Sequence, residues 1–138
     1  MPLTLTLTEG VVPPGAESDL FKRLCDAMLR WHGLQGHPVL TPNVVGTVQV
    51  LPVRQTFAGL TEAAVAFVEW KMPATAFATR EIQRGYIEEA TTIVHEASGR
   101  RHPRERIWVN VVHALDGAWG IGGEALTNQE LRTALGQS

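Results

Sequence analysis

The residue whose type and position could do chemistry first is Pro2. It follows Met1, and proline is small enough that an initiator methionine before it is commonly removed. The product carries an N-terminal prolyl amine, a free base rather than an amide nitrogen. An α-amino group has an ordinary pKa near 7.7–8.0. Burial among apolar groups disfavours its charged form and lowers that value. A neutral amine near pH 7 can take a proton from a carbon beside a carbonyl. The plainer role of Pro2 is to begin a strand, where no ladder donor is needed.

A second feature is the run Asp116-Gly117-Ala118-Trp119-Gly120-Ile121-Gly122-Gly123. Residues 120–125 satisfy the lenient dinucleotide pattern G-x-G-x-x-A. Too little chain follows for the helix and second strand that such a site needs. The glycines instead predict a tight hairpin with left-handed backbone. Trp119 is the unusual residue there, because a large aromatic on a turn usually covers something. His32, His37, His95, His102 and His113 are scattered, and none forms the i, i+4 pair of a helical zinc site. No Ser-His-Asp arrangement follows from their order. Arg100, Arg101, His102, Arg104 and Arg106 are interrupted by Glu105 and read as a solvated loop.

The composition narrows the classes of function. The chain has 138 residues, with 12 Lys+Arg against 14 Asp+Glu and a net charge of −2. That balance does not favour nucleic acid or an anionic membrane as partner. Hydrophobic residues at 44% and charged residues at 19% are values of a folded domain rather than a disordered chain. Cys25 is the single cysteine. It excludes an intrachain disulfide and a cysteine zinc cluster, and a reducing cytoplasm is the simplest compartment. No basic run leads into a continuous apolar stretch, and no window approaches a membrane span.

The elements that must position Pro2 and Trp119 follow from periodicity. Leu3, Leu5 and Leu7 alternate with Thr4, Thr6 and Thr8, a strand with one buried face. Leu20, Leu24, Met28 and Trp31 form one stripe of a helix over 17–32. Residues 44–53 are β-branched and read as a strand. The order then recurs: a strand over 63–72, a helix over 79–98 with Thr79 as N-cap, and a strand over 107–113. A glycine-rich turn and a short helix near 127–135 close the chain. The reading is an α/β fold (α+β in some schemes) in one domain, residues 1–138. It has pseudo-repeats at about 2–60 and 61–123 and a cap at 124–138. Two β-α-β units build a four-stranded sheet with two helices on one face. The other face is expected to be substantially apolar and to be covered by self-association.

Together these residues resemble the tautomerase superfamily, the group containing 4-oxalocrotonate tautomerase and macrophage migration inhibitory factor. The likeness spans nearly the whole chain and rests on four segments in order: 1–8, 48–59 (VQVLPVRQTFAG), 106–112 (RIWVNVV) and 117–124 (GAWGIGGE). The resemblance implies a symmetric trimer with sites between neighbouring subunits, Pro2 as general base, and no cofactor or metal. It places His37, in Gly36-His37-Pro38, where the family has a substrate-binding lysine. Asn110 falls on a site asparagine and Trp108 on a site tyrosine. Lys71 and Met72 fall at the wall formed by the end of the third strand, and Trp119 on the aromatic of the closing hairpin. Phe57 adds a further aromatic. Val12 and Trp108 sit near the positions of the arginines that hold a dicarboxylate, so that pair is missing. The paired arginines of the dehalogenase branch fall near Thr75 and Ala78, and its catalytic glutamate has no match. Lys71, Arg54, Arg80 and Arg84 are candidate replacement cations.

The reading from residues and resemblance together is a tautomerase or isomerase of a small 2-oxo or enol acid, acting as a homotrimer. Pro2 is its base, with an aromatic pocket suited to an apolar enol more than to a small diacid. The alternative is a trimeric binding or interaction protein with little catalysis, which the missing arginines favour.

Overall fold

The structure is a computed structural model that describes residues 1–137. Strict Leu/Thr alternation makes Pro2–Thr8 a strand, β1. It buries Leu3, Leu5 and Leu7 completely and turns Thr4 and Thr6 to the other side. Full burial of such a side chain contributes about 1.5–3 kcal/mol before entropy is counted. Helix α1, Glu17–Trp31, lays Leu20, Leu24 and Met28 on that apolar face. Strand β2, Val45–Leu51, then pairs parallel to β1, with Pro2 opposite Val45. Gly46 permits this pairing, because a Cβ there would stand 1.9 Å from the Leu3 carbonyl oxygen.

Pro52, which has no ladder donor, follows the end of β2, and residues 53–55 form a 3-10 turn. Residues 57–62, between the strands expected over 44–53 and 63–72, hold a small hairpin of β3 (Phe57–Ala58) and β4 (Thr61–Glu62). The strand expected over 63–72 begins later, as β5, Ala66–Pro73. Before it, the Thr8 hydroxyl oxygen accepts the Val65 N–H at 2.8 Å, a side chain standing in for a ladder partner. β5 runs antiparallel to β1.

Thr79 caps helix α2, Arg80–Ala97, by accepting the Ile82 N–H at 3.2 Å. Strand β6, Ile107–Ala114, lies parallel to β5, and the sheet order is β2-β1-β5-β6. The chain closes with a hairpin of β7 (Trp119–Ile121) and β8 (Glu124–Leu126), then helix α3, Asn128–Ala134. Gly122 and Gly123 both have positive φ (61° and 90°) and make the hairpin turn. Thr127 and Glu130 form a capping box on α3, and the Asp116 carboxylate accepts the Asn128 N–H at 2.7 Å.

The fold is the expected α+β arrangement, with α1 and α2 packed on one sheet face and on each other. They meet closely at Trp31 and Gly85, where an added Cβ would stand 2.1 Å from the indole. The opposite face is mixed: it exposes the apolar side chains of Val45, Phe67, Trp108 and Val112 among polar ones. Register places Gln49, Thr6, Phe67 and Trp108 in one row and Thr47, Thr4, Glu69 and Asn110 in the next. Half or more of each row is polar, and only Phe67 and Trp108 form an aromatic pair, with ring centroids 5.5 Å apart. No described helix is long and apolar enough to cross a membrane.

Candidate active site

Antiparallel pairing of β1 with β5 brings the starts of β1 and β2 to the same end of the sheet as the ends of β5 and β6. The β7–β8 hairpin folds across that end. Between them lies an open cleft of about 490 Å³, lined among others by Pro2, Val45, Lys71, Val112, His113 and Trp119. Its walls are mainly apolar and its polar groups few, as in sites for small ligands.

Pro2 opens β1 and is half-buried in the cleft floor. Lys71 points to the sheet face opposite the core and is exposed, with its side chain in the cleft wall. Trp119 is half-buried, packed against the core from the hairpin. His113 is held in place by a 2.7 Å hydrogen bond between Nε2 and the Ala76 carbonyl, in which the ring nitrogen donates. Three of the expected site residues, Pro2, Lys71 and Trp119, therefore line one cleft.

The others lie elsewhere. Met72 is fully buried beneath the sheet. Adjacent strand residues face opposite sides, so Lys71 and Met72 cannot both wall the same cleft. Trp70 is fully buried for the same reason. Asn110 and Trp108 share the open face with Lys71, but they pair with Glu69 and Phe67 further from the cleft. At about 3.3 Å per residue, Trp108 is roughly 13 Å along β6 from Val112. Phe57 is 55% exposed in the β3–β4 hairpin, beyond the far end of β2. His37 is tied to the backbone: Nδ1 accepts the N–H groups of Val39 and Leu40, both at 3.2 Å, and Nε2 donates to the Leu135 carbonyl at 2.9 Å. Both ring nitrogens are thus engaged by backbone groups, and His37 does not line the cleft. Arg54, Arg80 and Arg84 do not line it either.

Sequence reasoning missed the surroundings of Met1. This residue is 7% exposed and lines the cleft beside Pro2. Its ammonium donates to the Asn43 carbonyl, and its own carbonyl accepts the Val45 N–H at 3.3 Å. Burial pulls the pKa of this amine down from 8.0 to about 6, against a small opposing effect from Cys25. The only signal for Val45 was its place in the β-branched run over 44–53.

Comparison with known proteins agrees with this geometry. No family model and no curated protein matches the chain in sequence. Solved structures do match in fold. A fused 4-OT wild-type symmetric trimer is similar at 20% identity, with a TM-score of 0.75 over 95% of this chain and 98% of that one. N1, a member of the cis-3-chloroacrylic acid dehalogenase family, is similar at 14% identity, with a TM-score of 0.71 over 99% of each chain. The macrophage migration inhibitory factor from Trichinella spiralis is similar at 15% identity, with a TM-score of 0.66 over 91% of this chain and 100% of that one. The chain shares the fold of these structures. It carries both β-α-β units and the closing hairpin of that fold in a single polypeptide.

Proposed function

We propose that the protein is a tautomerase that moves a proton between carbon and oxygen, or between two carbons, of a 2-oxo or enol acid. The observation that carries this reading is the position of Pro2, at the floor of an apolar cleft with Lys71 in its wall. Excision of Met1 turns the Pro2 nitrogen into a secondary amine. That amine sits at the half-buried start of β1 in the cleft floor, where apolar surroundings disfavour its charged form. A neutral amine then takes the proton from the carbon beside the carbonyl and returns it at the other end of the enol system.

The same excision frees a donor. The Val45 N–H loses the Met1 carbonyl and is left facing the cleft beside Pro2. With the Lys71 ammonium it makes a pair of positive groups for the carboxylate and the developing enolate oxygen. Among the described residues, a single chain lines this cleft with no arginine pair and no glutamate, so any such group has to come from a neighbouring copy.

The working form is a homotrimer on this reading. Trp108, Asn110 and the Phe67 ring lie on an exposed sheet face outside their own cleft, available to a neighbouring copy. Residues 2–60 and 61–123, with the cap 124–138, act as one domain. A second reading follows if Met1 stays in place: its amine and carbonyl are both anchored, the Pro2 nitrogen is an amide, and the protein binds ligands without turning them over.

The deciding experiment has two parts. Intact mass of the natural product shows whether the chain begins at Pro2. Exchange of the hydrogens beside the carbonyl in D2O, followed by NMR over a panel of 2-oxo acids, shows whether it enolises them. Pro2→Ala is expected to lower kcat/KM by about 10²-fold or more with the oligomer intact. Unchanged exchange in that variant sinks the proline mechanism.

A further inference from the structure

Met1 is the shared wall of three neighbouring cavities. One is the cleft of about 490 Å³. The second, about 200 Å³, lies beneath α3 and is lined by Leu40, Leu126, Leu131 and Leu135. The third, about 220 Å³, lies between α1 and the end of β5. The cleft and the chamber beneath α3 also share Asn43, Trp119 and Ile121, so they adjoin along a wall and not only at Met1. Met1 is 7% exposed and its side chain belongs to the main core cluster. The space is therefore one that already holds an unbranched, flexible, apolar chain. Both backbone anchors of that chain, to Asn43 and Val45, leave with it.

We propose that excision of Met1 joins the cleft to the chamber beneath α3, and that the acid enolised at Pro2 carries an unbranched apolar tail lying where the Met1 side chain lies now. The inference rests on Pro2 as the base and adds the substrate class. The carboxylate and enol oxygen stay at the open end, by Lys71 and the Val45 N–H. The reacting carbon sits at Pro2, and the tail runs inward past Trp119 toward Leu131. A substrate without a tail leaves an apolar hole behind the reacting carbon, and each tail carbon that fills it is taken from water.

The test uses two full-length preparations released from a cleavable leader, one beginning at Pro2 and one at Met1. The probes are 2-oxobutanoate, 2-oxohexanoate, 2-oxooctanoate and 2-oxodecanoate, read by exchange at the carbon beside the carbonyl. In the Pro2 form kcat/KM is expected to rise roughly three- to fourfold per added methylene until the chamber is full. Leu126→Trp, which narrows the chamber from a half-buried position, is expected to collapse the ratio of 2-oxooctanoate to 2-oxobutanoate. A flat series that is still lost in Pro2→Ala overturns the channel and leaves the base in place. If no acid exchanges at all, the base reading falls. Calorimetric titration with octanoate then decides the channel alone. Binding to the Pro2 form and not to the Met1 form supports it; equal binding, or none, overturns it.

Discussion

The indole N–H of Trp70 donates to the Tyr86 hydroxyl at 2.7 Å, and that hydroxyl donates to the Leu24 carbonyl at 3.1 Å. This chain ties β5 to both helices in the middle of the core. It explains why Trp70, despite its size, is not a wall of the cleft: its polar edge is used internally and its ring is fully buried. Tyr86→Phe leaves the indole N–H without an acceptor, at a cost of about 1–3 kcal/mol, measured as a fall in unfolding free energy in denaturant titrations. Burial also pushes the Tyr86 phenol well above its ordinary pKa. The unfolded chain therefore loses this proton more easily than the folded one. Stability is full below about pH 10 and falls as pH rises beyond it. Tyr86 is the single tyrosine, so phenolate absorbance should appear only together with unfolding.

His32 sets the acid side. Its Nδ1–H donates to the Met28 carbonyl at 2.8 Å, and its Nε2 accepts the Phe77 N–H at 3.0 Å. Its ring meets Phe77 edge-on at 4.7 Å. These bonds hold Phe77 in a left-handed conformation (φ 53°) that its side chain disfavours. Burial lowers the His32 pKa, with the Met28 bond opposing. The folded state thus resists the proton that the unfolded state accepts. Stability is present above about pH 6.5 and declines as pH falls below it. His32→Ala should reduce stability at neutral pH and flatten that decline. A decline as steep as in the parent would remove His32 as its source.

Gly85 lies inside α2, where glycine normally costs about 1 kcal/mol relative to alanine. Here the order should reverse. A methyl group would stand 2.1 Å from the Trp31 ring, whose Nε1–H also donates to Glu89 at 3.2 Å. Gly85→Ala is expected to destabilise by about 1–3 kcal/mol through overpacking, read as a lower Tm, with partial recovery in Gly85→Ala combined with Trp31→Phe.

Lys71 separates binding from proton transfer. Lys71→Met keeps the length of the side chain and removes the charge. It should raise KM for 2-oxo acids and leave the Pro2-dependent exchange measurable at saturation. A matching change with an uncharged keto ester would show that the loss is one of shape instead.

Much of the fold was legible because burial on one face imposes a period. The Leu/Thr alternation of β1 and the stripe of α1 required no knowledge of their partners. The same rule, applied one step further to β5, separates Lys71 from Met72 and Trp70, since alternate residues in a strand must part company. The cleft was less legible. His37 carries the type of residue that a cationic site needs, but its ring nitrogens are taken up by three backbone groups, one of them contributed by Leu135 at the other end of the chain. Sequence spacing carries no record of such a contact.

Residue type and period by themselves determined the four strands of the main sheet to within a few residues, the helices, the turn glycines and the candidate base at Pro2, because each is a local consequence of sterics and burial, whereas the β3–β4 hairpin left no such pattern. The tertiary structure alone decided which residues meet at the cleft. That depends on antiparallel pairing of β1 with β5, which brings Pro2, Val45, Lys71 and Val112 to one end of the sheet and carries Asn110 and Trp108 away from it. It also decided the place of Met1, whose burial among three cavities is a sum of long-range contacts that no local pattern expresses.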